Sequence, residues 1–187
     1  MAQQWLSVES VMKIASSLER SDFLMAHPNP VLIAAEIRQG ILLPAPGKEK
    51  NMTMHYRTGG AENNEGSTYT PVRFVPIRRP AISARSGSNA RWLTVGRTSD
   101  NPIMINDYTV SKQHARIQED RKNGTFVVEE LGSTNGSWIN DERLVKGETN
   151  TLKSGDTLRF GRHIFTFLNG RMFYDFLLNL SLMTQKS

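Results

Sequence analysis

From Trp92 onward the chain is a succession of short apolar runs separated by turn-forming residues, and this punctuation restricts the fold more than any other feature. The runs are Trp92–Val95, Ile103–Ile105, Ala115–Ile117, Thr125–Glu130, Trp138–Ile139, Thr157–Phe160 and Ile164–Leu168. Between them stand Ser99-Asp100-Asn101-Pro102, Asn123-Gly124, Asn135-Gly136, Asn140-Asp141 and Ser154-Gly155-Asp156. Asn-Gly pairs favour tight hairpins because both central positions of the turn require positive φ. Short strands at this spacing predict an all-β sandwich or barrel.

The flanks read differently. Ser7 stands as an N-cap before Val8, Val11, Met12, Ala15 and Leu18, which recur at helical spacing until His27-Pro28 interrupts them. Asn29-Pro30 then offers a cap and a first-turn proline for a second helix through Val31–Ala35 and Ile37, with Gly40 as its C-terminal cap. Residues 1–43 are thus expected to be a helical segment, either a packing appendage or a docking and dimerisation element. Residues 44–70 lose the pattern, and Gly59-Gly60 and Asn63–Ser67 read as a flexible linker. Val72–Val75 begins an extended segment that Pro76 assigns to a sheet edge, and 83–90 is a small-residue loop. Met172, Phe173, Phe176, Leu177 and Leu180 predict a final helix packed on the sandwich, within a C-terminal segment spanning 171–187.

Charge and composition narrow the class of function. The net charge of +5 divides as −1 over residues 1–43, +5 over 44–92 and +1 over 93–187. The excess therefore lies in the Gly/Pro/Ser/Asn-rich middle, where a solvated basic linker is preferred to a nucleic-acid footprint. There are no cysteines, which excludes disulfides and thiolate metal sites. The N-terminus lacks a basic region and an uninterrupted apolar core of the secretory kind, and Val31–Ala35 is too short to cross a bilayer. The expectation is a cytoplasmic protein without membrane association. No Gly-Lys-Ser/Thr phosphate loop, kinase catalytic loop or metal-ligand spacing is present, so neither an enzyme nor a bound metal or cofactor is expected.

Four elements recur in a fixed order: Gly96-Arg97, Ser111-Lys112-Gln113-His114, Leu131-Gly132-Ser133-Thr134-Asn135-Gly136, and Gly155-Asp156 followed by Phe160-Gly161. Each alone is commonplace. Together, at the ends of predicted strands, they resemble the forkhead-associated (FHA) domain over roughly residues 71–170. The resemblance implies a two-sheet, antiparallel-rich sandwich whose loops at one end read phosphothreonine. It implies that Arg97, Ser111 and Thr134 contact phosphate, that Lys112 adds a second cation, and that Asn135 holds the main chain of the ligand. It also implies that Gly96 and His114 support the loops.

The residue chemistry is compatible with those roles. A phosphothreonine brings about −1.5 to −2 charges and three acceptor oxygens. Recognition calls for a guanidinium fork and short hydroxyl donors. Singly, Arg97 reads equally well as a solvated strand-end cation and Ser111 as a turn cap. The Ser-x-x-His spacing matches the architectural histidine of the FHA family, so the resemblance implies a bracing role rather than that of a catalytic base. Asp141 tolerates positive φ less well than glycine, which predicts a tilted or longer turn at Asn140-Asp141. In the family the residue three positions after the phosphothreonine is read by the loop before the serine; here Asn106–Thr109 holds no arginine, so an acidic preference there is not indicated. The implied partners are phosphothreonine-containing proteins in Ser/Thr kinase signalling. The alternative is a phospho-independent scaffold or dimerisation module.

Overall fold

The computed structural model describes residues 5–34, 36–38, 41–43, 73–77, 92–120 and 124–184. The linker expected over 44–70 lies outside these residues, as do Gly40 and the loop expected over 83–90. In chain order the elements are β1 (Leu6–Ser7), α1 (Val8–Ser17), α2 (Arg20–Ala26), β2 (Val31–Ile33), β3 (Glu36–Arg38), β4 (Ile41–Leu43), β5 (Arg73–Pro76), β6 (Leu93–Gly96) and β7 (Ile103–Met104). They continue as β8 (Ala115–Asp120), β9 (Thr125–Glu130), β10 (Ser137–Ile139), β11 (Glu142–Arg143), β12 (Thr149–Leu152), β13 (Thr157–Phe160), β14 (His163–Leu168) and α3 (Gly170–Thr184).

Two sheets form the body. One has the order β1-β5-β2-β14-β13-β10-β11 and the other β12-β9-β8-β6-β7, while β3 and β4 form a separate hairpin. The named pairings are antiparallel except β6 with β7. Between the sheets lies a core that includes Leu32, Val95, Ile117, Val128, Leu158 and Phe160. Against the opposite face of the larger sheet, α1, α2 and α3 bury Val8, Val11, Phe23, Phe173 and Leu177 on Val31, Ile33 and Phe74. The molecule is therefore an all-β sandwich with N-terminal helices and a C-terminal helix, as the apolar patterning predicts.

The helix expected through Val31–Ala35 and Ile37 is the main correction. Val31–Ile33 is a strand, pairing with β14 through Leu32↔Phe167 and with β5 through Leu32↔Val75. All three of its residues are buried, with Leu32 in one core and Val31 and Ile33 in the other. A run buried on both faces shows no alternation, so its periodicity does not separate strand from helix. Open sheet positions on both sides settle the matter. At α1 Ser7 occupies the cap position, yet its hydroxyl makes no capping bond. Its carbonyl instead accepts from the Ser10 hydroxyl at 2.6 Å.

Two turns refine the reading further. β5 is not an outermost strand, because β1 pairs with it at Phe74 and Arg73. Ile77 N–H and the Arg73 carbonyl bond toward β2 and its flanks, so alternation turns the Pro76 nitrogen to the other side, where no donor is required. The Asn140-Asp141 turn is not longer than two residues. Ile139 pairs directly with Glu142, and Asn140 and Asp141 have φ of 48° and 72°, a two-residue hairpin. Asn140 is fixed from its side: its Nδ2 donates to Asp156 at 2.7 Å and its Oδ1 accepts from Thr157 N–H at 2.8 Å.

Candidate functional site

The loops following β6, β7, β9 and β13 meet at one end of the sandwich and are laced together by hydrogen bonds. Arg97 N–H donates to the Ser111 carbonyl at 2.9 Å, and Gly161 N–H to the Gly136 carbonyl at 3.2 Å. Asn135 Nδ2 donates to the Thr109 carbonyl at 2.8 Å. Thr134 N–H donates to the Ser111 hydroxyl oxygen at 3.0 Å, and the Ser111 and Thr134 hydroxyls lie 3.5 Å apart.

His114 is fully buried at the centre of this lacing. Its Nδ1 accepts from Ser111 N–H at 3.0 Å, and its Nε2 lies 2.9 Å from the Gly136 carbonyl. A neutral ring with the proton on Nε2 satisfies both contacts. Burial pulls the imidazole below its ordinary value of 6.5, partly opposed by the Gly136 carbonyl and the Glu130 charge. One ring thus joins the serine loop to the threonine loop.

Gly96 is required by close approach rather than by turn geometry. A Cβ there would fall 2.1 Å from the Lys112 carbonyl oxygen and 2.6 Å from Asn101 Nδ2. That crowding places the residue after it, Arg97, beside the serine loop. Arg97 itself is half-buried, and its Nε is buried without a partner among the described residues. Lys112, Thr134 and Asn135 are exposed. The Arg97 backbone, Ser111, Thr134 and Asn135 are therefore joined by hydrogen bonds at one rim, with Lys112 exposed next to Ser111, whereas Gly96 and His114 are buried.

Sequence reading missed the residues that hold the rim in shape. Asn101, 1% exposed, donates from Nδ2 to the Lys112 carbonyl at 2.7 Å and the Thr98 carbonyl at 2.9 Å. It lay within a Ser-Asp-Asn-Pro turn signal, which revealed the turn but not the bond across to the next loop. Glu130, 4% exposed, accepts Gly132 N–H at 2.9 Å and Ser133 N–H through Oε1, and the Ser137 hydroxyl through Oε2. Its only sequence signal was a pair of acids, Glu129 and Glu130, closing a strand that is apolar from Phe126 to Val128. At the far side Asp107 accepts from Thr109 N–H at 2.8 Å and from Arg162. Burial alone would raise the Asp107 carboxyl, but its bonds from Thr109, with His163 and Arg162 beside it, hold it well below the usual carboxylate range. Arg162, whose guanidinium lies 5.0 Å from the centre of the exposed Tyr108 ring, supplies a cation that the loop sequence itself lacks.

A sandwich whose loops are gathered at one end by the histidine of a Ser-x-x-His motif, with an arginine following a crowded glycine, defines an FHA domain, and the chain belongs to the FHA-domain family. The family's FHA domain model matches residues 93–161. The chain is similar to the oxoglutarate dehydrogenase inhibitor of Corynebacterium diphtheriae, with 33% identity over 115 residues that cover 59% of this chain and 77% of that protein. It is also similar to the glycogen accumulation regulator GarA of Mycobacterium tuberculosis, with 34% identity over 118 residues, 59% of this chain and 70% of that one. Among solved structures it resembles Mycobacterium tuberculosis EmbR in complex with a low affinity phosphopeptide, at 33% identity over 42% of this chain and 20% of that chain, with a TM-score of 0.38.

Proposed function

We propose that the chain is a phosphothreonine-dependent adaptor in Ser/Thr kinase signalling, binding phosphorylated partner proteins at the loop rim rather than catalysing a reaction. The observation that carries this reading is the approach of the Ser111 and Thr134 hydroxyls to 3.5 Å on a rim to which the Arg97 backbone is also bonded. Two hydroxyls and a guanidinium supply directed donors to a doubly charged oxyanion, and charge-assisted bonds of this kind are the strong ones.

Within this reading Arg97, Ser111 and Thr134 hold the phosphate and Lys112 adds charge at its edge. Asn135, anchored to the Thr109 carbonyl, presents the rest of its carboxamide to the ligand main chain. Gly96 and His114 position the loops and touch no ligand. Residues 71–170 form the binding unit, to which β1 and β2 add strands, with 44–70 as the linker and 171–187 as the terminal helix and tail. The relatives' roles, an inhibitor and a regulator, fit binding better than turnover. Among the described residues no helix is long and apolar enough to span a membrane, and the proposed compartment is the cytoplasm.

Isothermal titration with matched phosphothreonine, phosphoserine and unphosphorylated peptides tests the proposal. About micromolar affinity for the phosphothreonine form is expected, near −8 kcal/mol. Arg97→Ala should weaken it by about tenfold to a hundredfold, equivalent to the ~1.5–3 kcal/mol of a bond to a charged group. Equal binding of the three peptides would reject phosphate recognition and favour the phospho-independent scaffold.

A further inference from the structure

The threonine loop carries two cations on its flank that the phosphate site does not use. A Cβ built on Gly132 would lie 2.9 Å from Lys146 Cε and 3.2 Å from its Nζ, so the lysine lies across the start of the loop. A Cβ on Gly136 would lie 3.0 Å from Arg143 Nε and 3.2 Å from its Nη2, so the arginine lies across the end. Between the two glycines stand Ser133, Thr134 and Asn135. Both cations are exposed, and neither makes an ion pair among the described residues.

Their placement is structural rather than incidental. The Arg143 guanidinium packs 5.6 Å from the centre of the Trp138 ring, whose other cation neighbour is Arg159 at 3.3 Å. Stacking on an indole restricts a long side chain and lowers the entropy lost when it meets an anion. Lys146 is held by the bridge of its backbone to Glu130 at the end of β9. Of the nearby acids, Glu130 is buried among Gly132, Ser133 and Ser137, the Asp141 charge acts on Arg159, and the exposed Glu142 and Glu148 pair with neither cation among the described residues.

We infer that Arg143 and Lys146 form a second subsite that reads acidic side chains flanking the phosphothreonine on the same peptide. The inference rests on the phosphopeptide-binding function proposed above. Gly132 and Gly136 each lie two residues from Thr134, and consecutive Cα atoms are about 3.8 Å apart. An extended ligand advances about 3.3 Å per residue. A peptide seated at Thr134 and Asn135 therefore carries residues about two to four positions from its phosphothreonine past these cations. Carboxylates are the matching occupant, because a guanidinium and an ammonium with no counter-ion among the described residues favour anionic side chains.

The test uses the full chain and three phosphothreonine peptides of one scaffold: one with neutral glutamine flanks, one with glutamates before the phosphothreonine, and one with glutamates after it. Binding is measured by titration calorimetry for the natural protein and for the double variant Arg143→Gln/Lys146→Gln. One acidic peptide should bind the natural protein about three- to tenfold tighter than the neutral one, the range that two solvent-exposed charge contacts supply. That preference should vanish in the double variant while affinity for the neutral phosphopeptide stays within about twofold, a change too small to involve the phosphate contacts. The absence of any acidic preference in the natural protein overturns the inference, and so does an unchanged preference in the variant. Neither result touches phosphate recognition, which fails only if the neutral phosphopeptide binds no better than its unphosphorylated form.

Discussion

The Nδ1 of His114 accepts the Ser111 backbone N–H at 3.0 Å, and this contact ties the geometry of the serine loop to the protonation of one buried ring. A proton added at Nδ1 would face a donor and remove the acceptor of the Ser111 amide. The burial that lowers the imidazole pKa makes the same point energetically.

A pH dependence follows from the direction of that shift. Between the lowered folded value and the ordinary 6.5, the unfolded chain binds more protons at this site than the folded one. Stability therefore falls as pH drops below about 6.5, by at most ~1.4 kcal/mol per pH unit from this group, and levels off once the folded ring also titrates. Denaturant melts between pH 7 and pH 5 measure it, compared with His114→Gln. The variant should be less stable at neutral pH and should lose this component of the acid response; an identical response in both proteins would assign the effect elsewhere.

Gly96→Ala should damage the site through backbone contact alone. Its new methyl would stand 2.1 Å from the Lys112 carbonyl oxygen, and overpacking of this kind costs about 1–3 kcal/mol. The expected outcome is a lower melting temperature together with weakened phosphopeptide binding. Normal binding at a temperature where the variant is fully folded would show that the loops relax without moving Arg97.

At Glu130 two substitutions separate hydrogen bonding from charge. Glu130→Gln keeps an oxygen for the Gly132 and Ser133 amides and an NH2 for the Ser137 hydroxyl, whereas Glu130→Ala leaves all three without a partner. Alanine should destabilise by about 3 kcal/mol or more and glutamine by about 1 kcal/mol, given the penalty for unmatched buried donors. Chemical denaturation of both variants gives the comparison, and equal losses would mean that charge dominates.

Phe173→Ala probes the helical layer separately from the site. Phe173 is 1% exposed and packs 5.0 Å from the Phe74 ring centre and 6.2 Å from that of Phe23. Truncation should cost about 3–5 kcal/mol of stability. Phosphopeptide affinity of the protein that remains folded should be unchanged, since α3 lies on the sheet face turned away from the other sheet. A matching loss of affinity would couple the helices to the loops.

What the residue order alone established was local and periodic. Turn residues between short apolar runs specified strands, Met172 to Leu180 specified α3, and the ordered Gly-Arg, Ser-x-x-His and Thr-Asn elements marked the loops that meet at the rim. These signals survive without tertiary context because backbone preference and side-chain period are properties of neighbours along the chain. The fate of Val31–Ile33 was different. A fully buried run has no polar face to betray its period, and only vacant hydrogen-bonding positions on β5 and β14 made it a strand. Folding likewise determined that Asn101, Glu130, Arg143 and Lys146 gather around the loops, because their contacts reach residues on other strands and turns. Such partners are chosen by packing in three dimensions, and no pattern along the chain encodes them.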